Sequence, residues 1–300
     1  AYFSEAYKKH HNVIIKVIDV RWDIYKNPIR AFHKLFTKII KKNSSQAENI
    51  VKVEIQNILR RKNIGVIFFP TARIYPRGLS NVKIVSTIYD LQHEHLPQNF
   101  SKDELAYKKY NYKYAVEKAD KIIAISYYTK LDIIKKYSIN ADKIHVTYLS
   151  GDKYNKKDNV NSTFAKKLPK QFIFYPAALW EHKNHKILIE ALNNLKSKFP
   201  NLYLVFTGLI KNKKLKDEID SIIMNYSLSE KVLFLGYVSE EFLDAIYQNA
   251  QAMIFPSMFE GFGIPILEAF MRGLPVAAAN NTSLTEVVGD AGLLFETNDT

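Results

Sequence analysis

Apolar residues along this chain recur with two periods. Over residues 28–42 and 46–62 they return every three or four positions, which predicts two amphipathic helices, the first with Pro28 near its start. The pattern then changes. Residues 65–69, Gly-Val-Ile-Phe-Phe, form a short apolar run stopped by Pro70 and predict a buried strand. Similar runs at 82–88, 121–125 and 143–147 predict strands, with helices over 101–119 and 126–137 between them. Ser101 with Glu104 gives the first of these helices a capping-box start. Further on, strands are expected at 172–175, 202–207, 232–235, 252–255 and 275–279. They alternate with helices at 184–198, 213–226, 239–249 and 265–272.

Short strands separated by helices of ten to fifteen residues imply parallel sheets with right-handed crossovers. The intervening stretch 151–170 is rich in Lys, Asn and Asp and poor in apolar positions, so it is the expected linker. The α/β chain therefore divides into a domain over 1–150, a linker over 151–170 and a domain over 171–300. Each domain is expected to be a Rossmann-like, doubly wound parallel sheet. Ligands of such sheets bind beyond the carboxyl ends of the strands, so the loops that follow strands carry the interest.

Composition narrows the classes. With 47% hydrophobic and 24% charged residues the chain is neither disordered nor fibrous. It has no cysteine, which excludes disulfides, thiolate metal sites and a cysteine nucleophile. No apolar run reaches the length of a membrane span, and no signal peptide is visible. The chain begins at Ala1 in sequence that already reads as mid-domain, and it stops at Thr300 just after a β segment, so both ends are expected to be truncated. The formal charge of +13 suits acidic substrates or an anionic membrane face, and the abundance of Lys throughout accounts for part of it. The aromatic residues sit mostly in apolar runs that read as core, which argues against a nucleic-acid binder.

Five of the ten glycines fall between Gly261 and Gly292. The segment Phe255-Pro-Ser-Met-Phe-Glu-Gly-Phe-Gly-Ile-Pro-Ile-Leu-Glu-Ala-Phe270 reads as a strand end, a glycine loop and a helix opened by Pro265. Such a loop aims backbone N–H groups and the positive end of a helix dipole at the strand's carboxyl edge, where a phosphate sits well. Glu260 and Glu268 would repel a phosphate but accept hydrogen bonds from ribose or sugar hydroxyls. A tight turn with one helix-capping glutamate is the plainer alternative. After the first strand of the second half comes Trp180-Glu-His-Lys-Asn-His185, where the Lys183 ammonium could meet a diphosphate or simply lie in solvent.

The glutamate pair inside "EGFGIPILEA", with "GLPVAAANNTSLTEVVGDAGLLF" after it, is similar to the signature of the retaining glycosyltransferase family 4, continuously over about 252–295. The resemblance implies a GT-B fold in which two Rossmann-like domains face each other across a cleft. It implies that Glu260 lies near the transferred sugar and that Glu268 holds the ribose. "WEHKNH" resembles the family's segment whose lysine binds the donor diphosphate, a segment frequent in bacterial enzymes of surface-polysaccharide assembly, and it gives that role to Lys183. Gly261, Phe262, Gly263 and Ile264 at the helix start, and Gly208, Tyr237 and Val238 after two other strands, would line the donor pocket. Many members carry a second diphosphate ligand, an arginine, where this chain has Ala177; His182 or His185 could stand in for it.

The first half matches more loosely. "TIYDLQHEHLPQNFS" resembles the loop after a central strand, with Tyr89 where many members have a histidine. Asp90, His93 and Tyr89 are the candidates on the acceptor side, with His95 beside them; a capped loop with surface histidines is the alternative. Neither histidine cluster has enough partners for a metal, and no Asp-x-Asp pair is present, so a metal-independent enzyme without cofactor is expected. The resemblance implies transfer of a hexosyl residue, mannosyl-type favoured, from a GDP- or UDP-linked sugar to a glycan or lipid-linked acceptor, as in O-antigen assembly. It also implies attack on the face the leaving group departs from, with the leaving phosphate taking the proton. The expected location is the cytoplasm or the inner face of the cytoplasmic membrane. Another GT-B enzyme, such as a sugar phosphorylase or an epimerase, and a non-catalytic binding protein stay open.

Overall fold

The computed structural model describes residues 44–151, 166–210 and 212–297. The expected helix over 28–42 and most of the expected linker lie outside these residues. The described residues divide between two compact units, one within 44–65 and 75–82 and one within 66–74 and 83–297. In the smaller unit, helix α1 (Ser44–Arg61) is held to the 75–82 segment. Gln56 accepts from the Ser80 amide at 3.0 Å and donates to its carbonyl at 2.6 Å, and the Arg77 amide donates to Glu48 at 3.0 Å.

The larger unit holds two parallel sheets. The first contains β1 (Val66–Phe69), β2 (Lys83–Ile88), β3 (Lys121–Ala124) and β4 (Ile144–Val146), in that order. Its crossovers carry the short helix α2 (Gln92–His95), then α3 (Lys102–Lys118) and α4 (Tyr127–Tyr137). The capping box is formed: Ser101 Oγ accepts from the Glu104 amide, and Glu104 Oε2 accepts from the Ser101 amide at 2.9 Å. The core of this sheet gathers Ile84, Ile88, Ile122, Ile133 and Ile144. The expected buried strand over 65–69 is a correction. β1 stands at the edge of the described sheet, and alternate residues Val66 and Phe68 are 57% and 50% exposed.

The second sheet contains β5 (Phe172–Pro176), β6 (Tyr203–Thr207), β7 (Val232–Phe234), β8 (Ala252–Phe255), β9 (Val276–Ala279) and β10 (Leu293–Phe295). Its spatial order is β10-β9-β8-β5-β6-β7, and every pair is parallel. The helices are α5 (His185–Leu195), α6 (Lys213–Asn225), α7 (Glu240–Asn249), α8 (Ile264–Met271) and α9 (Leu284–Val288). Phe172, Phe174 and Tyr175 of β5 are fully buried, as a strand covered on both faces requires.

From β5 the chain winds outward through β6 and β7, then returns to the other side of β5 with β8 and continues to β9 and β10. The winding reverses between β5 and β8, and a crevice opens beyond their carboxyl ends. Of the described helices, none is long and apolar enough to cross a membrane.

Candidate donor site

The loops after β5 and β8 meet at this reversal. Behind β5 a 3-10 turn, Glu181–Lys183, leads to Asn184 in the left-handed region at φ 54°, and α5 follows. The buried Tyr175 phenol donates to the Lys183 carbonyl at 2.9 Å, and the Met258 amide donates to the His182 carbonyl at 2.7 Å. These bonds fix the turn to the strand beneath and to the loop beside it.

The turn aims Lys183 Nζ at Glu260, 2.5 Å from Oε1, with both side chains mostly enclosed at 19% and 14% exposure. Ser257 Oγ donates to the same oxygen at 2.6 Å. The Glu260 backbone is held as firmly: its amide donates to Thr282 Oγ1 at 3.2 Å, and Ser283 Oγ donates to its carbonyl at 2.9 Å and to that of Phe262 at 3.0 Å. An ammonium and a carboxylate thus share a half-buried crevice whose low polarity strengthens their mutual attraction.

The glycine loop then starts α8. Gly263 caps the helix at φ 115°, with Ile264 as its first residue and Pro265 next. Phe262 is buried and Ile264 is partly exposed. Glu268 lies one turn on and accepts from the Tyr247 phenol at 2.9 Å, while Arg272 stacks over the Tyr247 ring and binds Asp244 and the Glu268 carbonyl. Burial and the Glu268 carboxylate raise the Tyr247 phenol far above its ordinary range, so it stays a donor.

Gly208, after β6, has φ 120°, and a Cβ there would lie 2.7 Å from the Ala177 backbone. Its amide donates to the Gly236 carbonyl at 2.8 Å, so the loops after β5, β6 and β7 are locked edge to edge. Val238 is half-buried and Tyr237 is 84% exposed beside them.

The loop after β2 reaches this crevice from the other sheet. A Cβ on Gly261 would lie 2.4 Å from the Tyr89 carbonyl oxygen and 3.1 Å from Asp90 Cβ. Only a glycine allows that approach. Burial raises the Asp90 carboxyl above the usual range against the Gln92 amide bond; Lys108 and Lys183 lower it, and Glu260 raises it. Rings continue the seam, with Phe259 against His95 at 5.1 Å and Tyr128 at 6.0 Å.

Two expectations are corrected. His93 is fully buried, edge-on to Tyr112 at 4.3 Å, with neither ring nitrogen bonded, and burial lowers it to about 4. It is a neutral core histidine, not a side chain facing an acceptor. Nor do His182 and His185 replace the absent arginine charge. Burial lowers them to about 4 and about 3, so both are neutral at physiological pH. Ser257, Thr282, Ser283 and Tyr247 went unmarked in the sequence, because a buttressing hydroxyl there looks like any other Ser, Thr or Tyr. Among the described residues no three His, Asp or Glu side chains converge as ligands for a metal.

Comparison with known proteins gives the family. The model for Glycosyltransferase Family 4 matches residues 5–150, and that for Glycosyl transferases group 1 matches residues 156–300. The chain belongs to the group 1, family 4 glycosyltransferases. Among family relatives, the O-antigen chain mannosyltransferase B of Escherichia coli is 30% identical over 228 residues, 72% of this chain and 58% of the relative. The chain therefore spans less than two thirds of that relative's length. A glycosyltransferase from Rickettsia africae superposes with TM-score 0.65 at 19% identity, covering 96% of this chain and 71% of that one. Anabaena HepE in complex with UDP gives TM-score 0.65 at 20% identity, covering 82% and 69%. The fold shared with these glycosyltransferases is GT-B.

Proposed function

We propose that this chain is a retaining hexosyltransferase, mannosyl-type, using a GDP- or UDP-linked sugar and no cofactor. The observation that carries the proposal is the Lys183–Glu260 pair at the winding reversal of the second sheet, faced by Asp90 from the first. The donor diphosphate takes Lys183 from Glu260, and the ammonium with the start of α8 at Gly263 stabilises charge growing on the leaving group. Glu260 is then free for the sugar. Glu268 exchanges its Tyr247 bond for ribose hydroxyls, and the loops at Gly208, Tyr237 and Val238 take the rest of the nucleotide. Tyr89 and Asp90 line the acceptor side, where a glycan or lipid-linked hydroxyl enters.

The names of the relatives support each half of this proposal. The E. coli protein is a mannosyltransferase of O-antigen chains, and HepE is held with UDP. The +13 charge suits an enzyme docked at the anionic inner face of the cytoplasmic membrane, with binding to phosphatidylglycerol vesicles that weakens as salt rises.

A binding screen of UDP-, GDP-, ADP- and dTDP-sugars tests the assignment, with Lys183→Ala and Glu268→Ala beside the native protein. Selective binding is expected, weakened at least about tenfold by either change, as the loss of a charge-assisted bond predicts. A folded native protein that binds none of them overturns the transferase assignment.

A further inference from the structure

Glu286 takes no part in the donor site, yet its carboxylate accepts three hydrogen bonds from the other sheet's elements. It lies on α9, between β9 and β10. Its Oε2 accepts from the Tyr127 amide and its Oε1 from the Tyr128 amide, each at 2.9 Å. The Tyr148 phenol, just beyond β4, donates to Oε2 at 3.0 Å.

Tyr127 and Tyr128 are the first two residues of α4, and the first-turn N–H groups of a helix have no partner inside it. Ser126, the local cap, accepts only from the Thr129 amide, at 3.0 Å. The two amides it leaves over go to Glu286, whose negative charge also meets the positive end of the α4 dipole.

The same turn holds the loop at the crevice. Thr129 Oγ1 donates to the Tyr89 carbonyl at 3.1 Å, and that carbonyl oxygen is the atom against which Gly261 sits. A chain of contacts thus runs from Glu286 through the first turn of α4 to Tyr89 and back to the glycine loop. Tyr148 against Phe262 at 5.7 Å lies alongside.

We propose that Glu286 is a positioning residue, a latch that holds the two sheets closed and sets the Tyr89–Asp90 loop against the glycine loop. It touches neither donor nor acceptor. Breaking it lets the sheets part and leaves the donor loops of the second sheet intact. The latch itself does not depend on the transferase assignment; only its effect on turnover does.

The absence of cysteine makes a clean distance measurement simple. Tyr107→Cys on α3 and Met224→Cys on α6, both exposed, take spin labels on the two sides of the seam. One narrow distance is expected with Glu286 in place. A longer, broader distribution is expected for Glu286→Ala and Glu286→Gln, and a smaller change for Tyr148→Phe. With a donor sugar, Glu286→Gln should keep nucleotide affinity within about threefold while turnover falls about tenfold, the scale of a typical coupling between sites.

Thermal melts identify any variant that fails to fold. If Glu286→Ala does, Glu286→Gln and Tyr148→Phe decide. Unchanged distances in the folded variants overturn the latch. Native protein that binds no nucleotide sugar overturns the transferase assignment instead, and the distances still judge the latch.

Discussion

The loop after β8 and the loop after β2 bring a carboxylate to the same crevice by different means. Glu260 is fastened from its own sheet, through Lys183 and Ser257 on its side chain and Thr282 and Ser283 on its backbone. Asp90 accepts one amide bond, from Gln92, and owes its surroundings to the other sheet lying against it. The crevice thus has one rigid wall and one that is completed on contact. The first wall carries its own partners; the second is defined only when the two sheets meet.

The sharpest way to break this contrast is Gly261→Ala, which places a methyl group 2.4 Å from the Tyr89 carbonyl. Turnover should fall about a hundredfold, the cost of a misplacement near 1 Å, while nucleotide binding by calorimetry stays near native. Equal loss of both would mean that Gly261 serves the donor wall itself.

Paired neutral substitutions come next, because the two carboxylates should respond with opposite signs. Glu260→Gln removes the partner of a mostly buried ammonium and should cost about 1–3 kcal/mol in chemical denaturation at pH 7. Asp90 has a folded-state value raised above its unfolded 3.8, so the native state holds its proton more tightly. Its ionisation costs stability as pH rises from about 3.8 through the raised value. Asp90→Asn should therefore be more stable than the native protein at pH 7, a gain that fades as pH falls toward 3.8. Its turnover should still drop about tenfold if the carboxylate orients the acceptor hydroxyl. A loss of stability at pH 7 would show that Asp90 is held ionised and paired.

The smallest effect calibrates the rest. Ser101→Ala removes the capping box of α3, which bonds to nothing in the crevice, and should cost about 1 kcal/mol in thermal stability. Donor affinity and turnover per folded molecule should not move; if they do, helix α3 is coupled to the site.

Much of the second sheet could be read from the chain, because each element there satisfies itself locally. Ser239 and Asn212 cap α7 and α6 as such residues should, and the apolar run of β5 is buried on both faces. The loop after β2 was harder. His93 and His95, two positions apart, look alike in sequence, yet one is sealed under Tyr112 and the other pairs with Asp132 at 2.8 Å. Nothing in a local pattern separates a buried imidazole from a half-exposed one, because burial is imposed by α3 and α4 packing over the turn.

The sequence by itself determined the parallel α/β layout, the capped helices, and the glycine loop with its two glutamates, since period, cap and turn chemistry act within a few residues. It also carried the family signature. The tertiary structure alone decided that β5 and β8 are neighbours, and so that Lys183 and Glu260, 77 positions apart, meet. It alone decided that Gly261 must be a glycine for Tyr89 and that α4 takes two of its caps from Glu286. The reason is physical: strand order is set by which apolar faces find each other, and a charge acquires its partner only after that choice is made.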